Sequence, residues 1–182
     1  MTRATGKRRT SPLRSARERF EALAIRRDVS LGTLRVSNAG DFALVLAAAA
    51  LAFPAGRDMS EREVNEILRV FLAGAGAMLA TDHVELRRWL VDFGVLARDG
   101  FGRIYRCTLG AARRPSEREQ FALGAAHRAH AAGSPAPEIA ALASELAGID
   151  LARLARCART DEALRRAERK ERWLDTQRKA GA

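Results

Sequence analysis

Apolar residues are distributed along this chain in more than one rhythm. In residues 15–27, SARERFEALAIRR, Phe20, Leu23 and Ala24 fall at i, i+3 and i+4, which predicts an amphipathic helix. Residues 42–53, FALVLAAAALAF, are apolar without a break, with Asp41 placed to cap them. A helix that is apolar on every side belongs in an interior, and at 1.5 Å per residue this one spans only about 18 Å, too short for a bilayer. Residues 61–73 return to a one-sided pattern, with Val64, Ile67, Leu68, Phe71 and Leu72 on one face. Ser60 and Glu63 precede that face as a capping box, each able to satisfy an otherwise unpaired amide. The GAGAM stretch that follows reads as loose structure or weak helix. A third helix is predicted over 82–93, with Asp82 and Glu85 at its start and Leu86, Trp89, Leu90 and Phe93 as its stripe. Gly94 then stands where a left-handed cap is wanted.

After Gly94 the period shortens. Residues 95–98 and 103–107 read as two strands around Asp99-Gly100-Phe101-Gly102, a hairpin signal because glycine tolerates positive φ. Three helices and a hairpin predict a mainly α protein built on a winged helix-turn-helix (three helices plus a β-hairpin wing) with a helical C-terminal extension. The chain divides on this reading into a basic disordered arm (1–14), an N-terminal helix with its connecting segment (15–40), the winged-helix domain (41–107) and a helical region (108–182). Within 15–40, LAIRRDVSLGTLRVSN is itself similar to a helix-turn-helix, with Val29-Ser30 at the turn and Asp28 where the usual glycine would be. A plain loop or strand is the alternative there.

The last region is lightly cored. Ser116 and Glu119 form another capping box for a helix to about residue 131, and GSPAP at 133–137 is a linker. Residues 138–158 suggest two short helices around Gly148, the first half again similar to a helix-turn-helix. Thr160-Asp161 reads as the start of a final helix whose apolar side is Leu164, Ala167, Trp173 and Leu174, supported by pairs such as Glu162–Arg166 and Glu168–Arg172. Docking on the body, projection into solvent and homo-oligomerisation through these C-terminal helices are the open alternatives.

Charge changes this picture in one place. The formal net charge of +10 points to a polyanionic partner, but residues 1–19 alone contribute +6 and residues 41–107 sum to −1. A basic arm binds phosphate through counterion release, or simply keeps the chain in solution. Between residues 87 and 106, however, five arginines face two acids. Placed on a third helix and wing, Val84, Arg87, Arg88 and Val91 would face a groove and Arg98, Arg103 and Arg106 would lie along the hairpin. DNA is therefore the expected partner. The competing possibility is internal pairing of Arg87 or Arg88 with Glu85, Asp92 or the acidic residues Glu61, Glu63 and Glu66 of the preceding helix.

Other chemistry is sparse. GAGAM lacks the Lys-Ser/Thr of a phosphate loop, and no nucleophile–base spacing stands out, so no enzyme is expected, nor any cofactor or metal. His83 reads as a hydrogen-bonding, packing or capping residue, His127 and His130 lack a third ligand, and Cys157 reads as core, with Cys107 at a strand end. Two distant cysteines and no membrane segment fit a cytoplasmic protein, while the Arg-rich N-terminus is similar in composition to a transit peptide. The preference for Arg over Lys holds along the whole chain, 29 against 3, which favours a bacterial compositional bias instead.

Residues 41–107 resemble the bacterial domain of unknown function 2087. The resemblance is carried by Ser60-Glu61-Arg62-Glu63-Val64-Asn65-Glu66-Ile67-Leu68, Asp82-His83, Leu86-Arg87-Arg88, Leu90-Val91-Asp92 and Gly102-Arg103-Ile104-Tyr105-Arg106. It implies a winged-helix module associated with transcriptional regulators. Two features depart from the family pattern: the small, apolar FLAGAGAMLAT segment, and Arg106 where an aromatic usually follows the wing tyrosine.

Overall fold

A computed structural model describes residues 15–109 and 136–180. Seven helices and one small antiparallel sheet appear among them: α1 (Ala16–Ala24), α2 (Leu31–Ser37), α3 (Ala39–Ala50), β1 (Asp58–Ser60), α4 (Glu61–Ala73), α5 (His83–Asp92), β2 (Leu96–Arg98), β3 (Ile104–Cys107), α6 (Ala136–Leu146) and α7 (Leu151–Ala180). The basic arm, the helix expected after Ser116, and His127 and His130 fall outside the described residues.

The apolar run forms the centre. Every residue of α3 from Asp41 to Ala50 is buried, and four helices pack on it, α6 most extensively, then α2, α1 and α5. The alanines at 47–50 let a neighbour approach closely, and α6 supplies Ile139, Leu142, Ala143 and Leu146 to the same core. Leu44 and Leu46 are fully buried, and each such side chain contributes about 1.5–3 kcal/mol. The start of α3 differs from the expectation. Asn38, not Asp41, is the cap: its side chain accepts from Asp41 N–H. Asp41 is freed for a different job, accepting from Arg19 Nε and Nη2 of α1 at 3.1 and 3.0 Å. The helix also ends at Ala50, so Leu51 to Phe53 are a turn.

The predicted helices 61–73 and 82–93 are α4 and α5. Ser60 and Glu63 close their capping box, with Ser60 N–H donating to Glu63 Oε2 at 2.8 Å. Asp82 caps α5 by accepting from Val84 and Glu85 N–H, both at 2.8 Å, while the Glu85 side chain accepts instead from Thr81 and Trp89. Phe42 of α3 meets Trp89 and Phe93 edge-on, with centroids 5.4 and 4.9 Å apart, which fixes α5 against the core. The small residues between α4 and α5 have a packing reason. A Cβ on Gly76 would stand 2.6 Å from the Phe71 ring, so the turn can be this tight only without one.

The hairpin is present, and a third strand joins it. β1 pairs antiparallel with β3, giving the order β1-β3-β2. Three residues, of which only Met59 is buried, are too short to leave a period-2 signal in the sequence.

Two further differences concern helix pairs. α2 packs chiefly on α3 and at most slightly on α1, which is not the close helix pair expected of a helix-turn-helix over residues 23–38, although Asp28 does take the left-handed turn, at φ 55°. In the C-terminal region, α7 runs unbroken from 151 to 180. It begins at Asp150, whose carboxylate accepts from Arg153 N–H at 2.9 Å. Thr160 does not start a new helix: its hydroxyl donates to Arg156 C=O one turn back, which keeps it inside the ladder.

Candidate nucleic-acid interface

The structure separates the seven residues singled out on α5 and the hairpin into two groups. Arg87 is turned inward. Its guanidinium donates to Glu61 Oε1 at 2.6 Å and Asn65 Oδ1 at 2.5 Å, lies 5.7 Å from the Tyr105 ring centroid, and is only 14% exposed. It clamps α4, α5 and β3 together. Arg106 reaches across the sheet to Asp58 at 2.6 Å. Val91 is half-buried against the core and Val84 is also partly covered. These four do not form an open surface.

Arg88, Arg98 and Arg103 are exposed. Arg88 keeps mixed company, because the exposed stripe of α5 is Asp82, Glu85, Arg88 and Asp92. The amides of Glu85 and Val84 hold the Asp82 carboxyl below the ordinary aspartate range, with the charge of Arg88 adding to this. One arginine among three acids makes a poor phosphate surface.

The hairpin tip is different. Arg103 and Ile104 N–H donate to Asp99 Oδ1 at 2.7 and 3.1 Å, and Gly102 N–H donates to Asp99 C=O at 3.1 Å. Gly102 sits at φ 70°, which the closing of so short a loop requires. The Ile104 amide is the largest influence in lowering the Asp99 carboxyl, with Arg103 next. The loop is thus tied down by Asp99, whose Oδ1 takes both side-chain bonds. Outside this ring of bonds stand Phe101, 81% exposed, and Arg103, whose guanidinium lies 4.8 Å from the Phe101 centroid. The sequence reading passed over Phe101. Its signal was an aromatic inside an Asp-Gly-Phe-Gly turn, where no interior is within reach.

The remaining candidates are soon placed. His83 Nε2 lies 3.2 Å from Arg69 Nη2, and since guanidinium has no acceptor, Nε2 accepts and the proton sits on Nδ1. This agrees with a hydrogen-bonding residue. Cys107 is buried, and burial pushes its thiol pKa up, away from the reactive thiolate form. Cys157 is exposed, contrary to the expectation of a core position. It lines a cleft of about 700 Å³ between α1 and α7 whose walls alternate in charge, with Arg17, Glu18 and Glu21 facing Arg153 and Arg165. Among the described residues no helix is long and apolar enough to cross a membrane.

Fold and surface together define a mainly helical protein in which a helix–strand–helix–helix–hairpin unit displays a fixed, arginine-bearing tip. Residues 37–107, which are that unit, match the family described as an uncharacterized protein conserved in bacteria, the domain of unknown function 2087. The match begins beside Asn38, the true cap of α3, and covers less than half of the chain. No curated protein matches the chain, and no solved structure does.

Proposed function

We propose that this chain is a non-catalytic, DNA-binding winged-helix protein of the bacterial cytoplasm that acts in transcriptional regulation. The order α3-β1-α4-α5-β2-β3, with β3 between the other two strands, supports the winged-helix assignment, in which α5 is the third helix and β2–β3 the wing. The single observation that carries DNA binding is the wing: a tip whose backbone is held by Asp99, with Arg98 and Arg103 outward. The basic arm adds salt-sensitive attraction.

The test is fluorescence anisotropy of a labelled duplex across a range of salt. Arg98→Ala and Arg103→Ala should each weaken binding and lower the log–log salt slope by about 1, while Arg87→Ala should leave the slope unchanged because that charge is internal. Equal slopes for all three variants would remove the wing from the interface. A protein-interaction module is the second reading, favoured by the exposed Leu164, Trp173 and Leu174 of α7 and the acidic stripe of α5. Absence of duplex binding at low salt, with a mass that rises with concentration in sedimentation, decides for it.

A further inference from the structure

We infer that the wing tip is an intercalating wedge, with Phe101 inserted between base steps of duplex DNA from the minor groove and Arg103 set beside it on the backbone or groove floor. The inference rests on the DNA-binding reading and reverses the usual division of labour in it, making the hairpin and not α5 the element that enters the duplex.

Three observations lead there. First, the α5 stripe of Asp82, Glu85, Arg88 and Asp92 carries a net negative charge, so pressing it into a groove sets carboxylates against phosphates. Arg87, the other arginine of that helix, is held by Glu61 and Asn65. Second, Phe101 is the most exposed aromatic among the described residues and stands on a loop that cannot easily fold it away. The Asp99 carboxylate and Gly102 turn fix the backbone on either side of it. A phenyl ring has no donor or acceptor, so it cannot read base edges by hydrogen bonding; what it can do on DNA is stack or wedge. Third, the charge around the ring suits that occupant. Arg103 lies against the ring face, and Arg98 is the exposed end of the partner strand, directly across from Tyr105 in the register. An apolar wedge with flanking arginines is how minor-groove proteins unstack a step and bend the helix.

The experiment uses the full chain and a duplex carrying a donor and acceptor dye at its two ends, read by anisotropy for affinity and by energy transfer for bending. Wild type should bind and bring the ends closer. Phe101→Ala should weaken binding ten-fold or more, abolish the rise in energy transfer and leave the salt slope unchanged. Phe101→Leu, which keeps an apolar wedge, should restore most of the bend. Arg88→Ala should stay within about two-fold of wild type, as expected for an exposed residue off the interface. Because Phe101 is solvent-exposed, the melting temperature of both Phe101 variants should equal that of wild type, which separates loss of contact from loss of fold. Wild-type binding without bending, or binding that Phe101→Ala leaves intact while Arg88→Ala weakens it, overturns the wedge and leaves the DNA-binding reading standing. Absence of wild-type binding at low salt overturns both.

Discussion

Helix α3 and the far half of α7 are both α-helical, yet almost nothing else about them is alike. Asp41 to Ala50 of α3 are buried on every side. Residues 163–178 of α7 are exposed one after another over about 24 Å. α3 has no local ion pair to hold it and depends on its neighbours. The far half of α7 is tied to itself: Glu162 accepts from Arg166 and Arg169 at 2.9 Å each, Glu168 pairs with Arg172 and Asp175 with Arg178. Such exposed pairs are individually weak, so α7 keeps its helix through many weak local terms and α3 through a few strong distant ones. One helix is a hub that cannot be altered quietly. The other is a surface that can be rewritten with little effect on the fold.

The sharpest way to test that contrast is to damage the hub. Leu46→Ala removes a fully buried side chain at the centre of α3 and should cost about 2–5 kcal/mol, read as a lower urea midpoint. The matching change on α7, Leu164→Ala, should shift the midpoint by less than about 0.5 kcal/mol, because Leu164 is 59% exposed. Equal shifts would mean that the far half of α7 is covered in solution.

A smaller effect is expected where the hub is tied to α1. Arg19→Ala leaves Asp41 Oδ1 without its two donors in a mostly buried position, at a cost of about 1–3 kcal/mol; Oδ2 keeps the Asn38 amide at 2.7 Å. The double variant Arg19→Leu/Asp41→Leu should recover part of the loss, since no unpaired carboxylate remains. Smaller again is Arg87→Ala, at about 1 kcal/mol. It breaks the link from α5 to Glu61 and Asn65, but Glu61 is half exposed and regains water.

These contacts also show where the sequence was readable. α3, α4, α5 and the hairpin could be read because each repeats a strong local rule: an unbroken apolar run, a capped i, i+3, i+4 face, or an Asp-Gly turn. β1 was not, because three residues carry no period and its partner β3 lies more than forty positions away. The contribution of α6 to the core was underread: Ile139, Leu142, Ala143 and Leu146 do follow the i, i+3, i+4, i+7 rule, but nothing in so short a stretch says which helix they meet. The candidate interface was half legible. The sequence located the arginines, but only the fold could show that Arg87 is spent on Glu61 and Asn65 while Arg103 faces outward. It equally could not show that Asp82, Glu85 and Asp92 share the open stripe with Arg88. Cys157 misled for the same reason, since apolar neighbours in sequence do not guarantee a buried face.

The smallest effect is also the most discriminating, because it separates the two helices within one molecule. The chain has two tryptophans, Trp89 packed on α3 through Phe42 and Trp173 exposed on α7, so Trp173→Phe and Trp89→Phe leave one reporter in each region. Hydrogen bonds from Arg166 and then Arg169 hold the Glu162 carboxyl below its ordinary value. A lowered carboxyl pKa stabilises fully above the unfolded value and loses that stabilisation as pH falls through the folded one. Acidification below the ordinary glutamate range of about 4.3 should therefore fray the far half of α7 first. Trp173 emission and part of the far-ultraviolet helical signal should change while Trp89 emission holds. Added salt at neutral pH should move Trp173 in the same direction by screening the pairs, and again leave Trp89 unmoved. A single acid transition seen equally by both tryptophans would mean that α7 is not an independent, self-tied helix but is coupled along its length to the core that α3 organises.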